Sequence, residues 1–147
     1  MADSGWPIQF LNWEQELVKN VGVFSRLGWN DDKEQGWMFT DVGYQGSLGL
    51  SFKGESWHRP DDTFGLAGVV SGISKEEQNF FAVGGTGIEG GDGNLNYGWE
   101  KAMETYYDFA VWKTIHATLD YQFIADPAFN SARGPVSVFG ARLHWEF

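Results

Sequence analysis

Charged and hydrogen-bonding side chains recur at every second position of several segments of this chain. They are Arg26, Lys53, Glu104, Asp108, His116, Asp120, Arg142 and His144. Repeated along extended segments, such side chains predict hydrogen bonds to a polar solute or to water. No signal for catalysis accompanies them, because the sequence has no cysteine and no G-x-S-x-G motif, and nothing places a base beside a nucleophile. We therefore expect no enzyme, no catalytic residue and no cofactor.

Two other motifs carry weak signals for ligand binding. The stretch GTGIEG at 85–90 has the form G-x-G-x-x-G, but more glycine follows it instead of a helix, so a dinucleotide site is not expected. The acidic pairs Asp31–Asp32 and Asp61–Asp62 offer the oxygen ligands that calcium prefers. Adjacent carboxylates in a loop are more often solvated or act as helix caps. The sequence therefore favours no metal site, with calcium in the acidic loops as the alternative.

The composition restricts the partners and the fold class. A formal net charge of −10 over 147 residues argues against nucleic acid and against anionic membrane surfaces. Twenty glycines and 17% aromatic residues accompany a mildly polar mean hydropathy of −0.34. This combination predicts strands with one apolar and one polar face. No apolar run reaches the ~20 residues of a membrane helix, and no signal peptide is visible at the N-terminus.

Period-two alternation of apolar and polar residues recurs along the chain and predicts half-buried strands. In TIHATLDYQFIAD, for example, Ile115, Leu119 and Phe123 share one face, whereas His116 and Asp120 share the other. We predict an all-β, antiparallel up-and-down meander of about nine strands. The predicted strands span residues 6–17, 20–30, 35–42, 45–54, 62–73, 80–90, 102–113, 114–126 and 136–147.

The connections between these strands alternate between tight turns and longer polar loops, which contain NDDKE, ESWHRPDD, GGDGNLNYGWE and DPAFNSARG. The alternation is typical of outer-membrane barrels, with short turns at one end and longer loops at the other. Aromatic residues near the predicted strand ends fit the interfacial girdles of such a barrel. These residues are Trp29, Trp37, Tyr121, Trp145 and Phe147. A soluble β-sandwich also alternates and is the alternative.

Several stretches resemble the carbohydrate-selective outer-membrane porins of the OprB family. They include RPDDTFGLAG, LNYG, LDYQFIA and GPVSVFGARLH, and the resemblance runs over nearly the whole chain. It implies a sixteen-stranded transmembrane β-barrel that lets monosaccharides, especially glucose, diffuse across the outer membrane of Gram-negative bacteria. A sugar has polar ring edges and apolar ring faces, so the charged side chains named above become pore-lining, sugar-contacting candidates. Tyr106 and Trp112 join them as stacking residues, with Phe24 as a further aromatic candidate.

The resemblance also implies that residues 1–147 form the C-terminal part of one porin barrel domain, without separate domains. We expect outer-membrane lipid, carbohydrate and the missing N-terminal barrel half as partners. The terminal strand with Trp145 and Phe147 is expected to be the signal that the barrel-assembly machinery recognises. Because no export signal is visible, export of this chain alone is doubtful. The alternatives are a truncated porin fragment without independent activity and a soluble sugar-binding β-module.

Overall fold

The computed structural model describes residues 8–30, 42–87 and 96–146, in which seven strands form one antiparallel sheet in chain order. A helix, α1, spans Lys75–Ala82, and short 3-10 helices span Gly54–Trp57 and Pro127–Phe129. In the described part of the chain, no helix has the length and apolar character needed to cross a bilayer. The strands are β1 Ile8–Val18, β2 Val21–Asn30, β3 Tyr44–Lys53, β4 Thr63–Gly72, β5 Glu100–Trp112, β6 Ile115–Ala125 and β7 Val136–Trp145.

The strand predicted at 80–90 is wrong, because residues 80–82 belong to helix α1 and residues 83–87 lie outside any strand. The side chain of Ser74 accepts a hydrogen bond of 3.1 Å from the backbone N–H of Glu77 and caps the helix. Ser followed three residues later by Glu is the sequence signature of a capping box. The acids Glu76 and Glu77 in the first turn add favourable interactions with the helix dipole.

The strand predicted at 35–42 lies outside the described residues except for Val42. β2 and β3 pair with each other directly, with Trp29 opposite Tyr44, so the sheet has no strand between them in its described part. The connections at 19–20, 54–62 and 113–114 therefore share one end, which we call the short-turn end. Those at 31–43, 73–99 and 126–135 share the other, the long-loop end. The loop ESWHRPDD thus belongs with the tight turns, contrary to the prediction.

The two faces of the sheet differ in polarity and in exposure. We call the face that carries Asp108 and its register partners the polar face, and the opposite one the apolar face. On the apolar face, Leu48 is 58% exposed and Leu119 is 57% exposed. On the polar face, Gly49, Gly65, Ser71 and Thr118 are buried, and Val23 and Gly72 are the buried strand residues of the apolar face in the described part. A water-soluble sandwich has the reverse arrangement.

A small apolar cluster joins the connections at the long-loop end. Ile73, Phe81 and Phe129 are buried together, and Val42 and Tyr97 pack against them. The backbone N–H of Gly98 donates to the carbonyl oxygen of Phe129 at 2.9 Å, and that of Ser131 donates to Asn96 at 2.8 Å. The described parts of the connections 73–99 and 126–135 are therefore packed against and hydrogen-bonded to each other.

At the short-turn end, the buried carboxylate of Asp62 organises the connection between β3 and β4. It accepts hydrogen bonds from Arg59 Nε at 2.5 Å, the Tyr107 hydroxyl at 2.6 Å and the backbone N–H of Ala110 at 3.1 Å. Arg59 Nη2 in turn donates to the Ala110 carbonyl oxygen at 3.2 Å. Ala110 lies beyond Asp108, the last β5 residue that pairs with β4. Arg59 and Asp62 therefore take the place of a neighbouring strand for the backbone of Ala110.

This network bears on the calcium alternative. Both oxygens of Asp62 already accept hydrogen bonds from protein groups. Across 8–30, 42–87 and 96–146, no cluster of three or more histidine or acidic side chains could hold a metal ion. The other pair, Asp31–Asp32, lies outside the described residues.

We expect Asp62→Asn to lower the free energy of unfolding by about 2 kcal/mol, because it removes charge-assisted hydrogen bonds at a side chain that is 1% exposed. Urea unfolding in detergent micelles measures this. The matched control is Asp61→Asn at the exposed neighbouring position, which should change stability by less than about 0.5 kcal/mol. Equal losses in the two variants would contradict the assigned role of Asp62.

The same comparison has a predictable pH dependence. The hydrogen bond from Arg59 holds the pKa of the Asp62 carboxyl below its ordinary value. A lowered folded-state pKa stabilises the fold above the ordinary value of about 3.9, and this contribution is lost as the pH falls through the folded-state pKa. The stability difference between the wild type and Asp62→Asn should therefore be full at neutral pH and shrink in acid.

Candidate functional site

The strands β5, β6 and β7 bring most of the candidate residues into adjacent rows on the polar face. Residues opposite each other in an antiparallel sheet share a face, so the strand register defines these rows. One row holds Asp108, Thr118 and Arg142, and the next, toward the long-loop end, holds Tyr106, Asp120 and Gly140. The flanking rows hold Glu104 with Gln122 and Val138, and Ala110 with His116 and His144.

Asp108 is the centre of the hydrogen bonding in this region. Its two carboxylate oxygens contact His116 Nδ1 at 2.8 Å and accept from the Thr118 hydroxyl at 2.6 Å. Thr118 therefore donates to the acid and not to the imidazole, so the three groups do not form a nucleophile–base pair. The cluster instead fixes a carboxylate, an imidazole and a hydroxyl on the wall of the sheet.

Beside this cluster lies an open depression with a volume of about 340 Å³. The Tyr106 ring leans across Gly65 on β4 and occupies the space that a Cβ atom at Gly65 would need. The carboxylate of Asp120 lies over Gly140 in the same way, and Gln122 Nε2 donates to it at 3.4 Å. The lining combines an aromatic ring with side chains of both charge signs, namely Glu104, Tyr106, Thr118, Asp120 and Arg142.

Two of the predicted pore-lining residues, both of them basic, lie farther along the polar face. Lys53 pairs with Thr63, which pairs with Asp108, so Lys53 belongs to the Asp108 row two strands away. Arg26 lies on β2, where its Nε donates to Asn12 Oδ1 of β1 at 2.8 Å. Both cations thus share the polar face with the acids, but neither lines the depression beside Tyr106.

The register does not place Trp112 with the other candidates. A bulge between Ala110 and Trp112 sets Trp112 opposite Ile115, which is also the partner of Trp145 on the apolar face. An extra residue in one strand shifts the alternation of its side chains. Trp112 is 71% exposed there. The simple alternation of the sequence, which put Trp112 on the polar face, does not take this bulge into account.

Aromatic side chains mark both ends of the apolar face. Trp29, Tyr44 and Trp99 lie at the long-loop end, with 6.4 Å between the Tyr44 and Trp99 ring centroids. Trp57 and Trp145 lie at the short-turn end, and Trp57 Nε1 donates to the Tyr107 hydroxyl at 2.9 Å. The exposed side chain of Trp145 agrees with the predicted position at a strand end.

The other residues predicted for the aromatic girdles are not found at strand ends in the described part of the chain. Tyr121 lies toward the middle of β6, 4.9 Å from Phe139 between ring centroids, so its assignment to a strand end was wrong. Trp37 and Phe147 lie outside the described residues.

The height of the apolar face follows from the length of β3. From Tyr44 to Phe52, β3 spans about 27 Å, which a strand tilt of about 40° reduces to about 21 Å. That height is close to the apolar band of about 25 Å in outer-membrane barrels.

The comparison with protein families agrees with this arrangement. The sequence model of the OprB family, described as carbohydrate-selective porins, matches residues 9–147. The chain belongs to this family. No curated protein and no solved structure matches the chain. Membership in this porin family implies an outer-membrane lipid environment and a carbohydrate substrate, as the sequence resemblance predicted.

Sequence reasoning did not find some residues that shape the porin wall. The glycines opposite large side chains, Gly49, Gly65 and Gly140, had no assigned role, although they recur on one face of predicted strands. Glu14 and Glu16 were not candidates, although the register places them on the polar face of β1. Period two within the 6–17 strand was the signal that could have identified both acids.

We expect Gly65→Ala to destabilise the fold by about 1–3 kcal/mol, because the new methyl group overlaps the Tyr106 ring and forces it to move. The matched control is Gly68→Ala on the same strand, where the nearest atom to a new Cβ is the Ala102 carbonyl oxygen at 3.9 Å. Gly68→Ala should leave the free energy of unfolding nearly unchanged. Unfolding by urea in detergent compares the two, and equal effects would show that Tyr106 does not depend on Gly65.

Proposed function

We propose that this chain forms part of the wall of a passive diffusion channel for monosaccharides such as glucose across the Gram-negative outer membrane. The observation that carries the proposal is the inverted sheet, whose polar side is the more enclosed and whose apolar side is exposed between aromatic rows. In lipid, the apolar side faces acyl chains and the polar side lines the lumen. The membership in the OprB family supports the same assignment.

The chemistry of the polar face suits a neutral sugar. Carboxylates, imidazoles and guanidinium groups hydrogen-bond hydroxyl groups, and the Tyr106 ring stacks on the apolar face of a pyranose. A ring of one charge sign selects ions, whereas both signs side by side suit a neutral solute. The residues proposed to line the pore are Arg26, Lys53, Glu104, Tyr106, Asp108, His116, Asp120, Arg142 and His144.

The edges of the sheet support a larger assembly. β1 and β7 are the outer strands of the described sheet and do not pair with each other. In lipid, an open edge leaves backbone groups unsatisfied at several kcal/mol each. We therefore propose that residues 1–147 are the C-terminal part of one porin barrel domain, completed to sixteen strands by an N-terminal half. The terminal strand, with Trp145 and Phe147, is the proposed recognition site of the barrel-assembly machinery.

The open edges also favour a second candidate, in which this chain without the completing strands has no transport activity. The soluble β-module fits less well, because its apolar face would meet water. Glucose-driven swelling of proteoliposomes tests both statements. The chain is reconstituted alone and together with the completing strands, and swelling only in the second preparation indicates a part of a working porin. If neither preparation exceeds empty liposomes, the transport proposal fails.

We expect Tyr106→Leu to weaken glucose binding in the complete porin about three- to tenfold, because aromatic contacts contribute about 0.5–1.5 kcal/mol beyond area burial. The measurement is the reduction of ion current by glucose in planar bilayers. The control is Tyr121→Leu, the same substitution on the apolar face of the neighbouring strand. A larger loss of glucose binding in the control than in Tyr106→Leu would mean that the faces are assigned the wrong way round.

A further inference from the structure

A second aromatic ring lies on the polar face, at a distance from the Tyr106 depression. Phe24 on β2 is opposite Glu14 of β1 and opposite Gly49 of β3. Its ring leans over Gly49 and fills the space that a Cβ atom there would need. The side chain is nevertheless 41% exposed. An apolar ring is thus held against the wall by its neighbours while part of its surface stays open.

Depressions with charged side chains in their linings lie on both sides of this ring. One, of about 320 Å³, includes Asn12, Glu14 and Arg26 in its lining. The other, of about 420 Å³, includes Glu14, Glu16 and Lys53. Phe24 and Glu14 belong to both linings. An exposed phenylalanine is therefore surrounded by hydrogen-bond donors and acceptors of both charges.

We propose that Phe24 is a second stacking platform for a pyranose ring, with Glu14 and Lys53 as hydrogen-bonding partners of the sugar hydroxyls. The inference rests on the proposed sugar channel and deepens it. A pyranose presents an apolar face of C–H groups and a rim of hydroxyl groups. The Phe24 ring matches the first, and the charged side chains on either side match the second.

The two platforms are too far apart to bind the same sugar ring. Phe24 on β2 and Tyr106 on β5 are separated by three strand spacings, or about 14 Å across the sheet. They lie in adjacent rows, which adds an offset of about 7 Å along the strands. At that separation the wall carries two independent monosaccharide subsites.

A purely structural role of Phe24 makes a different prediction. In that case the ring serves only to cover Gly49, and any apolar group that fills the same space replaces it. Phe24→Leu removes the ring, and Phe24→Leu with Gly49→Ala restores apolar filling without an aromatic face. Phe24→Tyr keeps the aromatic face. If glucose binding depends on the aromatic ring and not on the filled space over Gly49, Phe24 is a stacking platform.

The experiment measures the association constant of glucose in the complete porin from the glucose-dependent block of ion current in planar bilayers. We expect Phe24→Leu to lower the association constant of one of the two subsites about three- to tenfold, which corresponds to the contribution of one aromatic contact. The double variant with Gly49→Ala should show the same loss, and Phe24→Tyr should retain binding. Phe139→Leu, on the exposed apolar face, is the control and should bind glucose like the wild type.

The independence of the subsites is tested by combining Phe24→Leu with Tyr106→Leu. Each single variant should weaken glucose binding at one subsite and leave the other subsite at its wild-type constant, and the double variant should weaken both. Unchanged glucose binding in Phe24→Leu, or recovery of binding through Gly49→Ala, overturns the second platform and leaves the channel proposal intact. A wild-type porin that shows neither glucose block nor glucose-driven swelling overturns the channel proposal itself. If Phe24→Leu does not fold, the double variant and Phe24→Tyr provide the same comparison.

Discussion

In lipid, every backbone N–H and C=O group needs a partner within the protein, and the described sheet is organised around this requirement. Each strand pairs with its neighbour in chain order from β1 to β7. Where β5 extends past the end of β4, Arg59 and Asp62 bond the backbone of Ala110 and replace the absent strand. Two side chains of the β3–β4 connection thus complete the hydrogen bonding of a sheet edge.

Because the backbone groups pair within the sheet, only the side chains make one face polar and the other apolar. Because a strand places alternate residues on opposite faces, one register fixes which side chains share the apolar face and which share the polar face. Glycines on the polar face give large neighbours room to lean along the wall, as Phe24 does over Gly49 and Tyr106 over Gly65. The rings thereby lie along the polar face and leave open depressions beside them.

The sequence predicted the seven observed strands within a few residues, because their alternation is local information. It failed where the structure depends on other signals. The helix α1 was missed because Phe80 and Phe81 resemble strand residues, while the cap at Ser74 lies six residues before the strand predicted at 80–90. The bulge that moves Trp112 leaves no mark on the pattern of residues. The Asp62–Ala110 contact joins residues 48 positions apart, which a local pattern cannot reveal.

The central claim is that the polar face lines water and the apolar face meets lipid. The chain has no cysteine, so single cysteines can be introduced one at a time along β3, at Ser47, Leu48, Leu50 and Ser51. A water-soluble maleimide added to porin in proteoliposomes measures which positions are open to water. The account predicts labelling at 47 and 51 and protection at 48 and 50. Equal labelling of all four positions, or labelling confined to 48 and 50, would contradict it.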